Sequence, residues 1–387
     1  NMTKIYNYAI DLDKNTKEQF DACCNQDFVE KAALMPDAHS GYVAPIGSVF
    51  LTKDYVVPSW VGYDIGCGMT AIKLNIDPKN IRENSGKIYE KVMAIVPMGK
   101  GKYNHPKDIS NKTRKNFKKL LEKFGKGPHD KDIYKFIKNK SLSHLGTLGS
   151  GNHFLEICTD GNESWIVVHS GSRGIGFKVA KKYMKKVSKK DKGYEDTFPI
   201  EISSKLGKEY LNVLEFGLEF ALINRMEMIY KTIEVLEEIF GKQKYEIWVN
   251  KNHNHAISKG KKWIHRKGAT PAMKGERGVI PANMRDGSYL VKGKGNSKFL
   301  WSSSHGAGRS LSRTNAKKSI SMNEFKSSMK GIVGTIDQGT LDEAPMAYKK
   351  ISRVMNAQLA SVEVIKHLKP IINMKGSSFR KSNEKHN

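Results

Sequence analysis

Trp165-Ile166-Val167-Val168-His169-Ser170-Gly171-Ser172-Arg173-Gly174 changes character at its fifth residue. Aromatic and β-branched residues up to Val168 predict a strand. Histidine, serines, glycines and an arginine then break it into a loop. Loops at strand ends carry side chains that packing does not claim, so a histidine delivered there is placed to line a cleft. The same pattern recurs. Leu145–Ile157 is a glycine loop holding Asn152 and His153 that runs into a strand. Trp60–Met69 holds Asp64 and Cys67 among glycines and leads into a strand at Thr70–Leu74. Ile247–His255 is a strand ending in a polar histidine cluster. These units alternate irregularly with helices, without a repeating β-α-β rhythm. That predicts an α+β fold, with mixed sheets flanked by helices around a central cleft.

The chain has 387 residues, of which 39% are hydrophobic, enough for a sizeable core. Lys and Arg number 66 against 39 Asp and Glu, a formal net charge of +27. Such an excess favours a polyanionic partner, nucleic acid ahead of a membrane surface. The adjacent Cys23 and Cys24, with Cys67 and Cys158, do not read as a disulfide framework. No apolar run has the length of a membrane span, and the first residues lack a signal-peptide apolar region. A soluble, cytoplasmic protein is expected.

Along the chain, Ile5–Ile10 predicts a short strand and Phe20–Ala33 a helical piece. Met35-Pro36-Asp37-Ala38-His39 predicts a turn leading into a strand. Segment 100–140 is basic and helical, with Phe117, Leu120, Leu121 and Phe124 at helical spacing, and predicts a peripheral insert with a solvated charged face. Residues 177–200 read as basic and loop-rich. Residues 205–240 predict the longest helix, whose wide apolar stripe marks a core element and whose Asn224 and Arg225 are assigned to packing. Asp342-Glu343-Ala344-Pro345 predicts a helix start, and Ile371–Met374 a last strand. Neither a repeat nor a linker is visible. One domain over 1–376 is expected, with 377–387 a disordered polar tail.

Asp64, Cys67, His153, His169 and His253 are five metal-competent side chains on such loops. A metal needs about three or four protein ligands, so five with a thiolate able to bridge would hold two ions, a pattern suited to phosphoryl transfer. Ligand softness alone points to zinc. Ser302-Ser303-Ser304-His305-Gly306-Ala307-Gly308-Arg309, with Arg313 following, sets a histidine beside a glycine turn and two arginines. Glycines let backbone approach a phosphate and arginine clamps it. The histidine can act as general acid or base, metal ligand, or nucleophile toward a phosphoryl or nucleotidyl group.

These motifs, joined by Met35–His39, His253-Asn254, Arg266-Lys267-Gly268-Ala269, Ala347-Tyr348-Lys349 and Lys375-Gly376, run in an order that resembles the RtcB family of RNA ligases. The resemblance implies an enzyme joining RNA 3′-phosphate or 2′,3′-cyclic phosphate ends to 5′-hydroxyl ends, in RNA repair or tRNA splicing, with GTP and two manganese ions. Manganese thus replaces the zinc expected from softness. It implies that Cys67, His169 and His253 hold one ion and that Asp64, Cys67 and His153 hold the other. His305 would be the nucleophile that carries GMP, with Asp37 orienting it. Asn152 would bind the α-phosphate, Tyr348 cover the guanine, and Glu156 and Lys375 read the guanine or hold the nucleoside. Asn283 and Gly306, Ala307, Gly308 and Arg309 complete the expected nucleotide site, and Arg173, Arg309 and Arg313 are expected on phosphates.

Pro281-Ala282-Asn283-Met284 departs from the Pro-Gly-Ser-Met of many members, which bears on the guanine contact. Two rival readings use the same residues: a two-metal phosphodiesterase that has lost ligation, and a catalytically empty RNA binder. The intact His305 loop opposes the first and the five filled ligand positions the second. Neither the physiological RNA, nor the oligomeric state, nor the need for an activating protein is encoded in a motif.

Overall fold

The computed structural model describes residues 2–378; most of the predicted polar tail lies outside the described residues. Its helices and strands form a mixed α+β fold built on two large sheets. The smaller orders its strands as Lys4–Asn7, Val29–His39, Ile46–Lys53, Lys262–Lys267 and Asn254–Lys259. The larger runs Arg277–Asn283, Gly287–Gly293, Val362–Met374, Phe154–Thr159, Ser164–Ser170, Gly68–Leu74 and Tyr245–Asn252, with Val333–Gly334 pairing beside Val362–Met374. Except for that short strand, every pairing in the larger sheet is antiparallel. Phe154–Thr159, Ser164–Ser170 and Gly68–Leu74, which adjoin three of the candidate loops, are central in it and largely buried, while Tyr245–Asn252 is an edge strand; their loop-side ends emerge together.

His253 is the single residue between the last strand of the larger sheet, Tyr245–Asn252, and the edge strand of the smaller one, Asn254–Lys259. Its backbone N–H donates to the carbonyl of Cys67 at 2.7 Å. Its carbonyl accepts from the amides of Gly268 and Ala269 at 3.0 and 3.2 Å. The chain therefore crosses from sheet to sheet at the point where three candidate loops meet.

The helix Lys205–Phe240 packs across this junction. Ser204 caps it by accepting from the Gly207 amide, and Gly241 ends it at φ 81°. Phe216 meets Phe124 at a tilt and Phe220 meets Phe117 edge-on, so the helix Asn111–Lys126 docks through its narrow apolar stripe. Asn224 and Arg225 face inward and are wholly buried. Arg225 donates to the carbonyls of Gly66 and Ser170 at 2.8 and 2.9 Å, and to Thr70, Asn250 and Asn252. Asn224 donates to the carbonyls of Thr147 and Gly171, and its oxygen accepts from the Thr147 amide. A buried carbonyl without a donor costs about 1–3 kcal/mol, so these two side chains fix the loops that carry Cys67, His153 and His169.

Four sequence-based expectations are corrected. The helical piece at 20–33 ends at Cys24, and Val29–His39 is a strand. Its residues are buried on both faces, which hides the period-two signal. The predicted turn at Met35–His39 is the end of that strand; its register is irregular between Leu34 and His39, a position that tolerates Pro36. Residues 177–200 are not loop-rich throughout, because Arg173–Ser188 is a helix whose buried Ile175, Val179, Ala180, Tyr183 and Met184 alternate with lysine pairs. Asp342 does not start an α-helix: Gln338–Glu343 and Pro345–Ala347 are tight 3-10 turns, and the helix begins at Ile351. Among the described residues no helix is long and apolar enough to cross a membrane, and all four cysteines are free and buried.

Replacing Arg225 by Met should lower stability by at least about 3 kcal/mol, because several acceptors lose their only strong donor. Arg353→Met, which removes a half-exposed pair with Asp11, should leave it nearly unchanged, since solvent screens such a pair. Urea unfolding midpoints of the two variants check the contrast.

Candidate active site

The five metal-competent residues form two overlapping groups. Cys67, His169 and His253 bring their ligand atoms within 4.8 Å of one another, and so do Asp64, Cys67 and His153. Cys67 belongs to both. Its Sγ lies 3.2 Å from Nε2 of His169 and 3.4 Å from Nε2 of His153. Each of those rings turns its other nitrogen to a backbone carbonyl, Nδ1 of His169 to Asn152 and Nδ1 of His153 to Leu148, both at 3.0 Å. A carbonyl only accepts, so Nδ1 carries a proton in each ring and Nε2 is the nitrogen turned toward the centre.

The electrostatics suit metal binding. Burial, joined by neighbouring imidazoles, holds His169 and His253 well below the ordinary histidine range, so both are neutral. Burial works against the ionised Asp64, but the charge and hydrogen bond of His153, with Arg173 behind, outweigh it and keep the carboxyl well below the usual range. Burial pushes the Cys67 thiol well up, and the Asp64 carboxylate adds to the effect. A cation bound between these groups reverses that balance, since it favours the thiolate and the carboxylate together. The donor set of thiol, imidazoles and one carboxylate, buried and convergent, fits divalent ions.

His305 stands beside the first group, its ring centre 4.9 Å from that of His253. Its Nδ1 is 2.7 Å from Oδ2 of the fully buried Asp37. The two atoms are close but not in line, and both Asp37 oxygens lack a straight hydrogen-bond donor. Gly268, at φ 67°, passes against this ring; a Cβ there would lie 3.0 Å from His305 Cε1. Glycine is thus required by both the backbone angle and the approach.

In front of His305 opens a cavity of about 350 Å³. Its wall includes Asn152, Asn283, Gly306, Ala307, Gly308, Arg309, Arg313, Tyr348 and Lys375, all expected from the sequence. Two expected residues are not on it. Glu156 sits one layer back: it pairs with Asn373 across the sheet and accepts from the Asn373 amide at 2.7 Å. Its other oxygen is buried without a donor, and burial raises the carboxyl to about 8. Arg173 lies behind the second metal group, 3.3 Å from Nδ1 of His153. Its guanidinium fills the space a Cβ on Gly149 would need.

Sequence reasoning missed Glu343, Asn373 and His39. Glu343 is the hub of the far wall. It pairs with Arg309 at 2.8 Å, Arg313 at 3.0 Å and Lys375 at 3.1 Å, and accepts from the Tyr348 hydroxyl. Lys375 also donates to the carbonyl of His153, which ties this network to the second metal group. The signal was available: an acidic pair, Asp342-Glu343, just before the Tyr348 motif. His39 lay in a quoted motif but was given no role.

A family model described as "tRNA-splicing ligase RtcB" matches residues 19–376. The chain is 32% identical to "RNA-splicing ligase RtcB" of Escherichia coli (strain K12), covering 96% of this chain and 97% of that protein. It is 30% identical to "tRNA-splicing ligase RtcB" of Nanoarchaeum equitans, over 90% and 88% of the two chains. It is 28% identical to "RNA-splicing ligase RtcB homolog 1" of Entamoeba histolytica, over 90% and 81%. A buried thiol shared by two metal-competent groups, with a histidine beside a polar cavity, characterises the site. The chain belongs to the RtcB family.

Because Cys67 is shared and protonated in the free site, divalent-metal binding should release a proton and tighten as pH rises. Calorimetry in buffers of different ionisation enthalpy should show that release in the wild type and its loss in Cys67→Ser. Metal content should fall further in Cys67→Ser than in Asp64→Asn or His253→Gln.

Proposed function

We propose that this protein is an RNA ligase that seals RNA 3′-phosphate or 2′,3′-cyclic phosphate ends to 5′-hydroxyl ends, with GTP as energy source. The observation that carries the reading is His305: one ring nitrogen faces the buried Asp37, and the other is left for a substrate beside two metal-competent groups. In the first step Nε2 of His305 attacks the α-phosphorus of GTP, a P–N bond forms and pyrophosphate leaves. Oxygen of the RNA 3′-phosphate then attacks that phosphorus, and the RNA end takes GMP as His305 leaves. Finally the 5′-hydroxyl attacks the activated 3′-phosphate, GMP leaves and the strand is joined. A cyclic end is first opened by water.

Each residue has a task in this scheme. Asp37 holds the Nδ1 proton and stabilises positive charge as Nε2 becomes bonded. Arg309 and Arg313, with Asn152, bind phosphate oxygens, and the glycine turn 306–308 lets the backbone approach them. Tyr348 offers its ring to the base and Asn283 its side-chain amide. Lys375 holds the nucleoside, and Glu156, through Asn373, backs the wall that reads guanine. Cys67, His169 and His253 would hold one manganese ion and Asp64, Cys67 and His153 another, which when bound neutralise charge on the reacting phosphates. The family match and the names of the relatives support RNA ligation as the overall activity.

His305→Ala should abolish transfer of label from α-phosphate-labelled GTP to the protein and abolish sealing, while retaining bound metal. Asp37→Asn should keep metal binding and slow labelling by about a hundredfold, within the range of general acid–base contributions. Denaturing electrophoresis reads the labelling and a defined RNA substrate reads the sealing. A labelled His305→Ala protein would remove His305 as the nucleophile, and RNA cleavage with no wild-type labelling would replace this reading with a hydrolase.

A further inference from the structure

The helix Arg173–Ser188 begins beside the second metal group, with Arg173 against His153, and runs away from it. Arg173, Phe177, Lys181 and Lys185 follow one another at four-residue spacing and so share one row along the helix, which the cap residue Lys189 extends. Phe177 is 49% exposed. Its ring stacks on Tyr63, centroids 4.8 Å apart and planes 23° apart. Tyr63 receives the ring of Tyr42 at 5.8 Å and 89°, and Tyr42 is 66% exposed. Tyr63 immediately precedes Asp64, and Tyr42 follows His39 and Ser40, which line the cavity. Three touching aromatic rings therefore lead from the cavity rim to the lysine row.

A groove of about 670 Å³ opens on that row, lined almost wholly by lysines with Phe177 at its edge. Lys181 and Lys189 have no carboxylate partner among the described residues. Like charges four residues apart destabilise a helix, and exposed aromatic rings forgo burial. Lys185 reaches Asp191 at 3.8 Å and Tyr63 donates to Glu195, so part of this surface is tied to the fold; Lys181, Lys189 and the exposed faces of Tyr42 and Phe177 are not.

We propose that this aromatic ladder and lysine row form a track for single-stranded RNA leading into the cavity. Bases would stack on the exposed rings while ammonium groups neutralise backbone phosphates. Both contacts ignore base sequence. Lysine suits a strand that must shift along the track, because a point charge imposes no bidentate register. The inference rests on the RNA-ligase reading for the identity of the strand.

The test uses the full chain and a fluorescent single-stranded RNA of about 20 nucleotides ending in a 3′-phosphate, followed by anisotropy over a salt series. K181E/K185E/K189E should weaken binding at least about tenfold and reduce the log–log salt slope by about 2. Y42A/F177A should weaken it about tenfold with the slope unchanged. GMP labelling from GTP alone should stay at the wild-type level in both variants, which certifies the fold. Absence of labelling in the wild type counts against the ligase reading and leaves the track to be judged by anisotropy. Wild-type RNA affinity in both variants, or loss of a protein partner with RNA binding intact, overturns the track. Should a variant fail to fold, 4-thiouridine RNA crosslinked to the wild type decides: adducts on Tyr42, Tyr63 or Phe177 support the track, and adducts only elsewhere refute it.

Discussion

One buried guanidinium holds this site in shape. Arg225 lies in the middle of a long helix, far in sequence from the loops it serves, and donates to backbone carbonyls at residues 66 and 170. Those carbonyls flank Cys67 and His169. With Asn224 gripping the neighbouring loop at residue 147, a single helical turn sets the spacing of three strand ends. Burial pulls the Arg225 side chain down to about 10, still charged at neutral pH, while the nearby Asp64 carboxylate favours that charge. The helix thus contributes a fixed positive charge behind the metal groups as well as hydrogen bonds. Such support from rigid elements is what keeps loop-borne ligands in place.

Charge is distributed unevenly in a chain whose formal net charge is +27. The surface is rich in lysine, yet the inner wall of the cavity is organised by a carboxylate, Glu343, that balances Arg309, Arg313 and Lys375. The central anion offsets the repulsion among these cations and fixes their places on the cavity wall. Burial lowers the Lys375 ammonium and Glu343 opposes that shift. A second buried carboxylate, Asp37, lies against His305.

Much of the site was legible because its chemistry is carried by short motifs at strand ends. Aspartate, cysteine and histidine on glycine loops are costly to keep unless they do something. The helices were harder to read. Lysine pairs interleave with the buried stripe of Arg173–Ser188, so its periodicity is diluted. Glu343 was passed over because an acidic residue near a proline reads as a helix start. Glu156 was assigned to the base pocket from its motif, but strand pairing places Asn373 in front of it.

The sequence by itself determined the kind of chemistry: which side chains can ligate metal, which histidine can attack, which arginines can hold phosphate. It also determined the mixed α+β character, since apolar strands ending in polar loops admit few other arrangements. Only the tertiary structure decided how those groups combine. That Cys67 serves two groups depends on strands from separate parts of the chain meeting side by side. That His253 faces His305 depends on one residue joining two sheets. Ligand identity is local and can be written in a motif. The sharing of one thiol and the placing of His305 are distances between remote residues, and only the packed sheets and the helix behind them fix those.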